Sequence, residues 1–221
     1  MIRLLPILFL ILTIACIGWS QNENLTLFNS QEIDENRYGE MKGSPYFFDE
    51  WRQGKVISDN GQTYENILLN YNGYTEHFEV RTEGKYIQLD ERLYRQISIP
   101  TDAGTVVFKK NAHPDFPNKF VQVVHDGERI KLLKHFTVVL AESSVFNAGG
   151  RVEFKRFKPD RKYFVVMDGA TQLVSMRKKK IKKLLGHEKE IERFAKAERI
   201  KIDTEKGLSA LLTFYEAELL E

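Results

Sequence analysis

Apolar and polar residues alternate along much of the chain between positions 43 and 176. Phe78 and Val80, for example, alternate with Glu79 and Arg81. A period of two is typical of β-strands that bury one face and expose the other. The pattern predicts about nine or ten strands in this region.

Turn-forming pairs that end in glycine separate the alternating segments. They are Asn60-Gly61, Asn72-Gly73, Glu83-Gly84, Asp126-Gly127 and Asp168-Gly169. Asn-Gly and Asp-Gly supply the positive φ angles of tight hairpin turns, so they favour antiparallel strands joined in sequence. We therefore predict a β-meander, which leaves a barrel, a sandwich or two small sheets open.

Two segments interrupt the alternation. Residues 111–118 contain Pro114 and Pro117 without periodicity, which predicts a loop and a possible boundary between two β-units. Residues 141–150 end in two glycines and are predicted to form a mobile loop. The β-rich domain is expected to span residues 43–176.

After Met176 the apolar period becomes helical. The clearest stripe has apolar residues at i, i+3, i+4, i+7 and i+11: Leu208, Leu211, Leu212, Tyr215 and Leu219. Residues 177–221 are therefore predicted to form C-terminal helices, packed on the sheet or beside it. The expected fold class is α+β, mainly antiparallel β.

The first twenty residues are predicted to be a secretory signal peptide. Arg3 precedes an apolar run, Leu4–Ile17, which is shorter than the roughly 20 residues of a membrane-spanning helix. Gly18 and Ser20 place small residues before a cut at Gln21. After such a cut the protein is not expected to span a membrane. Residues 21–42 are polar and acidic, which predicts a flexible lead-in with a short helical turn near 30–38.

Cys16 keeps two alternatives open at this end of the chain. It follows the small residue Ala15, so it could be the lipid-bearing cysteine of a lipoprotein, or the apolar run could stay as an anchor. The protein is predicted to be exported, to the periplasm or to the outer membrane. Because Cys16 is the single cysteine, cleavage at Gln21 would remove disulfide and thiolate chemistry.

Composition and the absence of known motifs argue against several classes of function. The 33 basic and 31 acidic residues give a net charge of +2, which predicts no nucleic-acid partner. There is no phosphate-binding glycine loop and no nucleophile elbow, so no cofactor is predicted. His187-Glu188 begins like a zinc-protease helix, but Ile191 stands where the second histidine must be.

Four residues near the chain's middle offer a minimal metal or acid–base site: His113, Asp115, His125 and His135. His125 and His135 would face each other across the Asp126-Gly127 turn if their strands pair symmetrically. The favoured interpretation is that they are ordinary cross-strand residues.

Two surfaces are candidate binding sites. Aromatic rings near the start of the β-region could hold a glycan, although the favoured interpretation is core packing; they are Tyr46, Trp51, Tyr71 and Tyr74. Six of the seven residues from Arg177 to Lys183 are basic and could bind anionic lipid or an acidic partner, although they could also be a solvated helix start. The candidate contacts there are Lys178, Lys179, Lys182 and Lys183.

Several short motifs resemble a family of exported β-rich proteins from Bacteroidota. They are Gly43-Ser44-Pro45-Tyr46, Asp49-Glu50-Trp51, Gly54-Lys55-Val56, Lys131-Leu132-Leu133-Lys134 and the lysine-rich tract. The resemblance implies a β-rich fold and an envelope location, and it adds no chemistry. We predict a non-catalytic envelope component that binds a protein, a glycan or an anionic surface. The alternative is an envelope hydrolase whose residues are dispersed over several strands.

Overall fold

The computed structural model describes residues 31–82 and 84–220. The predicted signal peptide and its cleavage site lie outside these residues. The strands are β1 (Gln31–Ile33), β2 (Arg52–Ser58), β3 (Thr63–Asn72), β4 (His77–Thr82), β5 (Lys85–Gln88), β6 (Tyr94–Thr101), β7 (Gly104–Lys110), β8 (Phe120–Asp126), β9 (Ile130–Asn147), β10 (Gly150–Met167) and β11 (Ala170–Val174). The helices are α1 (Lys178–Leu185), α2 (Glu188–Ala197) and α3 (Glu205–Glu218).

The strands form one antiparallel sheet in the order β1-β5-β4-β3-β2-β6-β7-β8-β9-β10-β11. The predicted α+β class is thus confirmed. The sequence left a barrel, a sandwich or two small sheets as alternatives. The described residues form a single sheet that does not close into a barrel. Positive φ angles occur, as predicted, at Gly61 (90°), Gly84 (77°) and Gly169 (76°), whereas Gly73 and Gly127 do not have them.

The sheet coils until the β3–β4 turn touches β9. Gly73, in that turn, accepts a hydrogen bond from the Val138 backbone N–H at 2.8 Å and donates one to the Pro45 carbonyl at 2.8 Å. A Cβ atom on Gly73 would lie 2.5 Å from the Phe136 ring. Only glycine allows this close approach, so the turn residue also sets how tightly the sheet coils.

The inner face of the coiled sheet carries the first hydrophobic core. Its largest buried rings meet mainly edge to face, with Phe78 and Phe108 centroids 5.0 Å apart at 86°. Other rings of this core are Tyr71, Tyr94, Phe120, Phe136 and Phe157.

The C-terminal helices cover a second core on β8–β11. Leu208, Leu211, Leu212 and Tyr215 are buried there against sheet residues such as Ile130. This confirms the predicted apolar stripe of α3. Thr204 caps the helix by accepting a hydrogen bond from the Gly207 N–H at 3.1 Å.

A polar cluster lies near the junction of the two cores. Glu205 accepts hydrogen bonds from Lys134 Nζ at 2.8 Å and from Tyr163 Oη at 2.7 Å. Burial raises the pKa of Glu205, but the bonds from Lys134 and Tyr163 outweigh it and the net pKa is lowered. Burial lowers the pKa of Lys134 although Glu205 opposes that shift. These hydrogen bonds satisfy the Glu205 carboxylate where the start of α3 packs on the sheet.

Two local predictions are wrong. Residues 141–150 are not a loop: β9 continues to Asn147 and β10 begins at Gly150. Both faces of this hairpin end are exposed, so no apolar alternation marks it as strand. The predicted helical turn near 30–38 is instead β1 followed by hydrogen-bonded turns, because β1 pairs with the distant strand β5.

The proline-containing segment 111–118 connects β7 and β8, which are neighbours in the sheet. Its Phe116 packs on Leu133 and Val166 and forms a third, smaller core on the outer face. The segment is therefore a loop, as predicted, and it also covers apolar surface.

Candidate anion-binding groove

A basic groove of about 610 Å³ lies between the β10–β11 hairpin and helix α1. Four cations line it: Arg161 and Lys162 come from β10, and Lys180 and Lys183 come from α1. Leu173, Val174 and Leu184 supply apolar wall. The groove therefore offers positive charge beside an apolar surface.

Packing of α1 sets which of its lysines reach the groove. Ile181 and Leu185 are buried in the second core, with 0% and 4% of their surface exposed. These two contacts fix the rotation of the helix about its axis. Lys180 and Lys183 are then left beside the groove.

Three of the groove cations have no carboxylate partner within the described ranges 31–82 and 84–220. Lys162 lies 3.6 Å from Asp160, whereas no ion pair is formed by Arg161, Lys180 or Lys183 there. Arg161 instead stacks over the Phe136 ring at 5.4 Å. The groove therefore keeps uncompensated positive charge.

The start of α1 is electrostatically unfavourable. Its N-cap residue Arg177 makes no side-chain capping bond, and its first turn holds no acidic residue. Cations at this end oppose the helix dipole, which favours negative charge there. Helix stability does not account for this concentration of cations, and ion pairing does not account for Lys180 and Lys183.

The four predicted lysines of the tract take different positions. Lys183 lines the groove, whereas Lys178 and Lys179 are exposed in the first turn and do not line it. Lys182 forms an ion pair with Glu192 of α2. Lys180 belongs to the predicted basic tract but is not among the four candidate contacts, and neither is Arg161, since only the tertiary structure places β10 beside α1.

The predicted glycan-binding aromatics do not form one platform. Tyr71 is excluded, because its ring is 1% exposed within the first core. Tyr46 and Trp51 are half-buried and touch each other, with centroids 5.7 Å apart. Tyr74 lies elsewhere, against Tyr38 and Phe157, and is 43% exposed.

The histidines are not brought together. His125 is paired in register with Leu132 rather than with His135, so the predicted facing arrangement is wrong. His135 bonds Glu76 at 3.0 Å, and His113 bonds Thr171 at 3.0 Å. The described residues contain no cluster of three or more His, Cys, Asp or Glu side chains that could hold a metal ion.

Sequence reasoning also missed a buried carboxylate. Glu79 accepts hydrogen bonds from Arg37 at 2.6 Å, Asn72 at 2.7 Å and Tyr46 at 2.9 Å. Burial together with the Glu79 charge raises the pKa of the Tyr46 hydroxyl. The alternating strand pattern marks Glu79 as solvent-facing, and nothing local signals that residues 34–46 cover it. The arrangement is a structural clamp.

A second cleft, of about 630 Å³, lies beside β4 and the short helical turn Glu91–Leu93. Its cations mostly have partners: Lys110 bonds Asp59 at 3.1 Å, and Arg92 bonds Asp90. His77 Nδ1 lies 3.5 Å from the Glu91 carboxylate, which raises the pKa of His77. The balanced charges of this cleft contrast with the groove at α1.

Comparisons of the chain with protein-family models, with curated proteins and with solved structures found no match. The resemblance to exported Bacteroidota proteins therefore stays a prediction. In the part of the chain that the structure describes, no helix combines the length and the apolar character needed to cross a membrane.

Proposed function

We propose that this protein is a non-catalytic component of the cell envelope that binds an anionic surface through the basic groove. The observation that carries the proposal is the set of three unpaired cations around one concave surface: Arg161, Lys180 and Lys183. Among the described residues, no carboxylate pairs with any of the three. Phosphate groups of envelope lipids have the chemistry that such a cluster attracts.

The charge distribution supports binding of an anion at the groove rather than attraction of anions by the net charge of the protein. The chain carries a net charge of only +2, so long-range attraction to anions is weak. The local cluster acts over about one Debye length, which is roughly 8 Å at physiological salt. We therefore expect salt-sensitive binding that depends on these particular side chains.

The double variant Lys180→Gln/Lys183→Gln tests the groove. We expect its affinity for inorganic pyrophosphate, used as a soluble probe, to fall about tenfold or more, because two of the four groove cations are removed. Isothermal titration calorimetry at low salt measures the change. The thermal unfolding midpoint should stay close to that of the parent, since both side chains are at the surface.

The double variant Lys178→Gln/Lys179→Gln is the matched control. It removes the same charge from the same helix, but neither residue lines the groove. We expect the control to bind pyrophosphate nearly as tightly as the parent does. Equal losses in the two variants would show that net charge, rather than the groove, governs binding and would refute the site.

Export is the second element of the proposal, and it rests on the first twenty residues. The spacing of Gly18 and Ser20 predicts a mature N-terminus at Gln21. The intact mass of the protein recovered from the cell envelope should match residues 21–221. A mass that corresponds to an acylated N-terminus at Cys16 would support the lipoprotein alternative instead.

A further inference from the structure

Strands β9 and β10 extend well beyond the rest of the sheet as a two-stranded arm. We define the arm as residues 139–147 and 150–158. β8 pairs with β9 only between Lys131 and Lys134, and β11 pairs with β10 only from Tyr163 onward. At about 3.3 Å per residue, nine residues on each strand give a length of roughly 30 Å.

The register separates the arm into two faces, because directly paired residues point to the same side. One face, which we call the outer arm face, holds Val139, Ala141, Ser143, Val145, Val152, Phe154, Arg156 and Lys158. It carries no carboxylate. The opposite face begins with Leu140 and Phe157 of the first core and continues with the charged pair Glu142 and Lys155.

Apolar side chains are unusually exposed on the arm. Of seven exposed large hydrophobic residues among those described, four lie on it. They are Val139 (54%), Val145 (44%), Phe146 (81%) and Val152 (46%). Val145 and Val152 pair on the outer arm face, whereas Phe146 pairs with Arg151 on the opposite face, and all three lie beside the turn at the tip. Such a concentration of exposed apolar groups marks an interaction surface.

Cations flank this apolar surface on the outer arm face. Arg156 and Lys158 are exposed and pair with no carboxylate of the described chain. Lys42 lies over the Phe154 ring, with its Nζ 3.9 Å from the ring centroid. Near the tip, the carboxylate of Glu153 is compensated by Arg151 at 3.0 Å.

We infer that the arm docks this protein on an anionic lipid bilayer. Val145, Phe146 and Val152 at the tip enter the interface between head groups and acyl chains. Arg156 and Lys158 lie behind the tip, four and six residues along β10 from Val152, where they attract the anionic head groups. Apolar groups beside cations are the combination by which peripheral elements bind anionic membranes.

The open edges of the arm limit how deeply it inserts. Past Val138, the outward backbone groups of β9 have no neighbouring strand among the described residues. On the β10 edge, the Lys42 backbone bonds Lys155 and Phe157, and the residues between these and the tip have no strand partner in the described chain. An unpaired N–H or C=O group is strongly disfavoured in hydrocarbon, so only the tip of the arm can enter the bilayer beyond the depth that water reaches. The arm is thus a surface anchor and not a spanning element.

Charge also distinguishes a bilayer from a second copy of this chain. Symmetric pairing of two outer arm faces would join two surfaces that each carry Arg156 and Lys158 and no carboxylate, so neither cation would gain an ion-pair partner there. Like charges on both surfaces disfavour such an interface. An anionic bilayer instead satisfies the cations and the apolar tip at once.

Vesicle co-sedimentation of the mature chain tests this inference. The parent should bind vesicles of phosphatidylcholine and phosphatidylglycerol, and it should bind pure phosphatidylcholine vesicles much more weakly. Phe146→Ser should weaken binding to the mixed vesicles about tenfold, because it removes the most exposed apolar group. Leu93→Ser, at a 38% exposed residue away from the arm, is the control and should bind as the parent does.

The experiments can refute the proposed role of the arm and the proposed role of the groove independently of each other. The inference does not depend on the proposed groove, because Phe146, Arg156 and Lys158 do not line it. Parent-like vesicle binding by Phe146→Ser would overturn the arm's role, even if pyrophosphate binding still needs Lys180 and Lys183. Sedimentation velocity without vesicles adds a second check. A dimer that Phe146→Ser dissociates would identify a second copy as the occupant and overturn the bilayer assignment.

Discussion

Replacing Leu212 by Asp is expected to lower the free energy of unfolding by about 4 kcal/mol or more. Leu212 is fully buried in the second core, where α3 packs on β8 and β9. The substitution removes an apolar side chain and places an ionisable group among the apolar side chains of the second core. Urea denaturation followed by circular dichroism measures the loss.

Thr213→Asp provides the matched control for Leu212→Asp. Thr213 is the next residue of α3 and is exposed. The same carboxylate therefore enters the same helix on its solvent side, where surface substitutions change stability by about 0.5 kcal/mol or less. Similar unfolding curves for the two variants would contradict the packing of α3 on the sheet.

The second large effect is expected for Glu79→Ala. The Glu79 side chain is 2% exposed and holds Arg37, whose side chain is 20% exposed. Removing the carboxylate leaves the Arg37 guanidinium and the Asn72 amide without their shared acceptor. Breaking a buried ion pair in this way costs about 3 to 5 kcal/mol, and we expect a loss near the lower limit because Arg37 is partly solvated.

Chemical denaturation of Glu79→Ala should be compared with that of Glu65→Gln. Glu65 pairs with Lys55 at 3.3 Å but its side chain is 65% exposed, so its loss should cost less than about 1 kcal/mol. Limited proteolysis adds a local readout, because the clamp holds residues 34–46 on the sheet. If cleavage within 34–46 is no faster in Glu79→Ala, the clamp does not fasten this segment.

Local signals in the sequence were sufficient to predict much of the fold. The alternation around Phe78 and Val80 and the turn pair at Asp168-Gly169 depend on contacts between near neighbours along the chain. The apolar stripe that includes Leu212 also repeats within a single helix. For such features the residue types themselves carry the structural information.

Other features depend on partners that are distant along the chain. Glu79 belongs to an alternating strand and is indistinguishable from a solvent-facing residue until Arg37 covers it. The hairpin end at 141–150 lacks alternation because neither face is covered, so the same residue types are also typical of a loop. Tyr71 is among the candidate glycan-binding rings and is buried instead, since an aromatic residue in a strand does not reveal whether the sheet coils over it.

The candidate groove follows the same division. The run of lysines before α1 is visible in the sequence and indicates positive charge, but it does not show where each side chain points. Burial of Ile181 sets the rotation of the helix, and the pairing of β10 with β11 brings Arg161 to the same place as Lys180. By itself, the sequence determined most of the strands, the C-terminal helices and the sign of the charge, because these depend on local periodicity and composition. Only the tertiary structure decided which cations face one groove and which apolar residues stay exposed on the arm, because both depend on contacts between segments far apart in the chain.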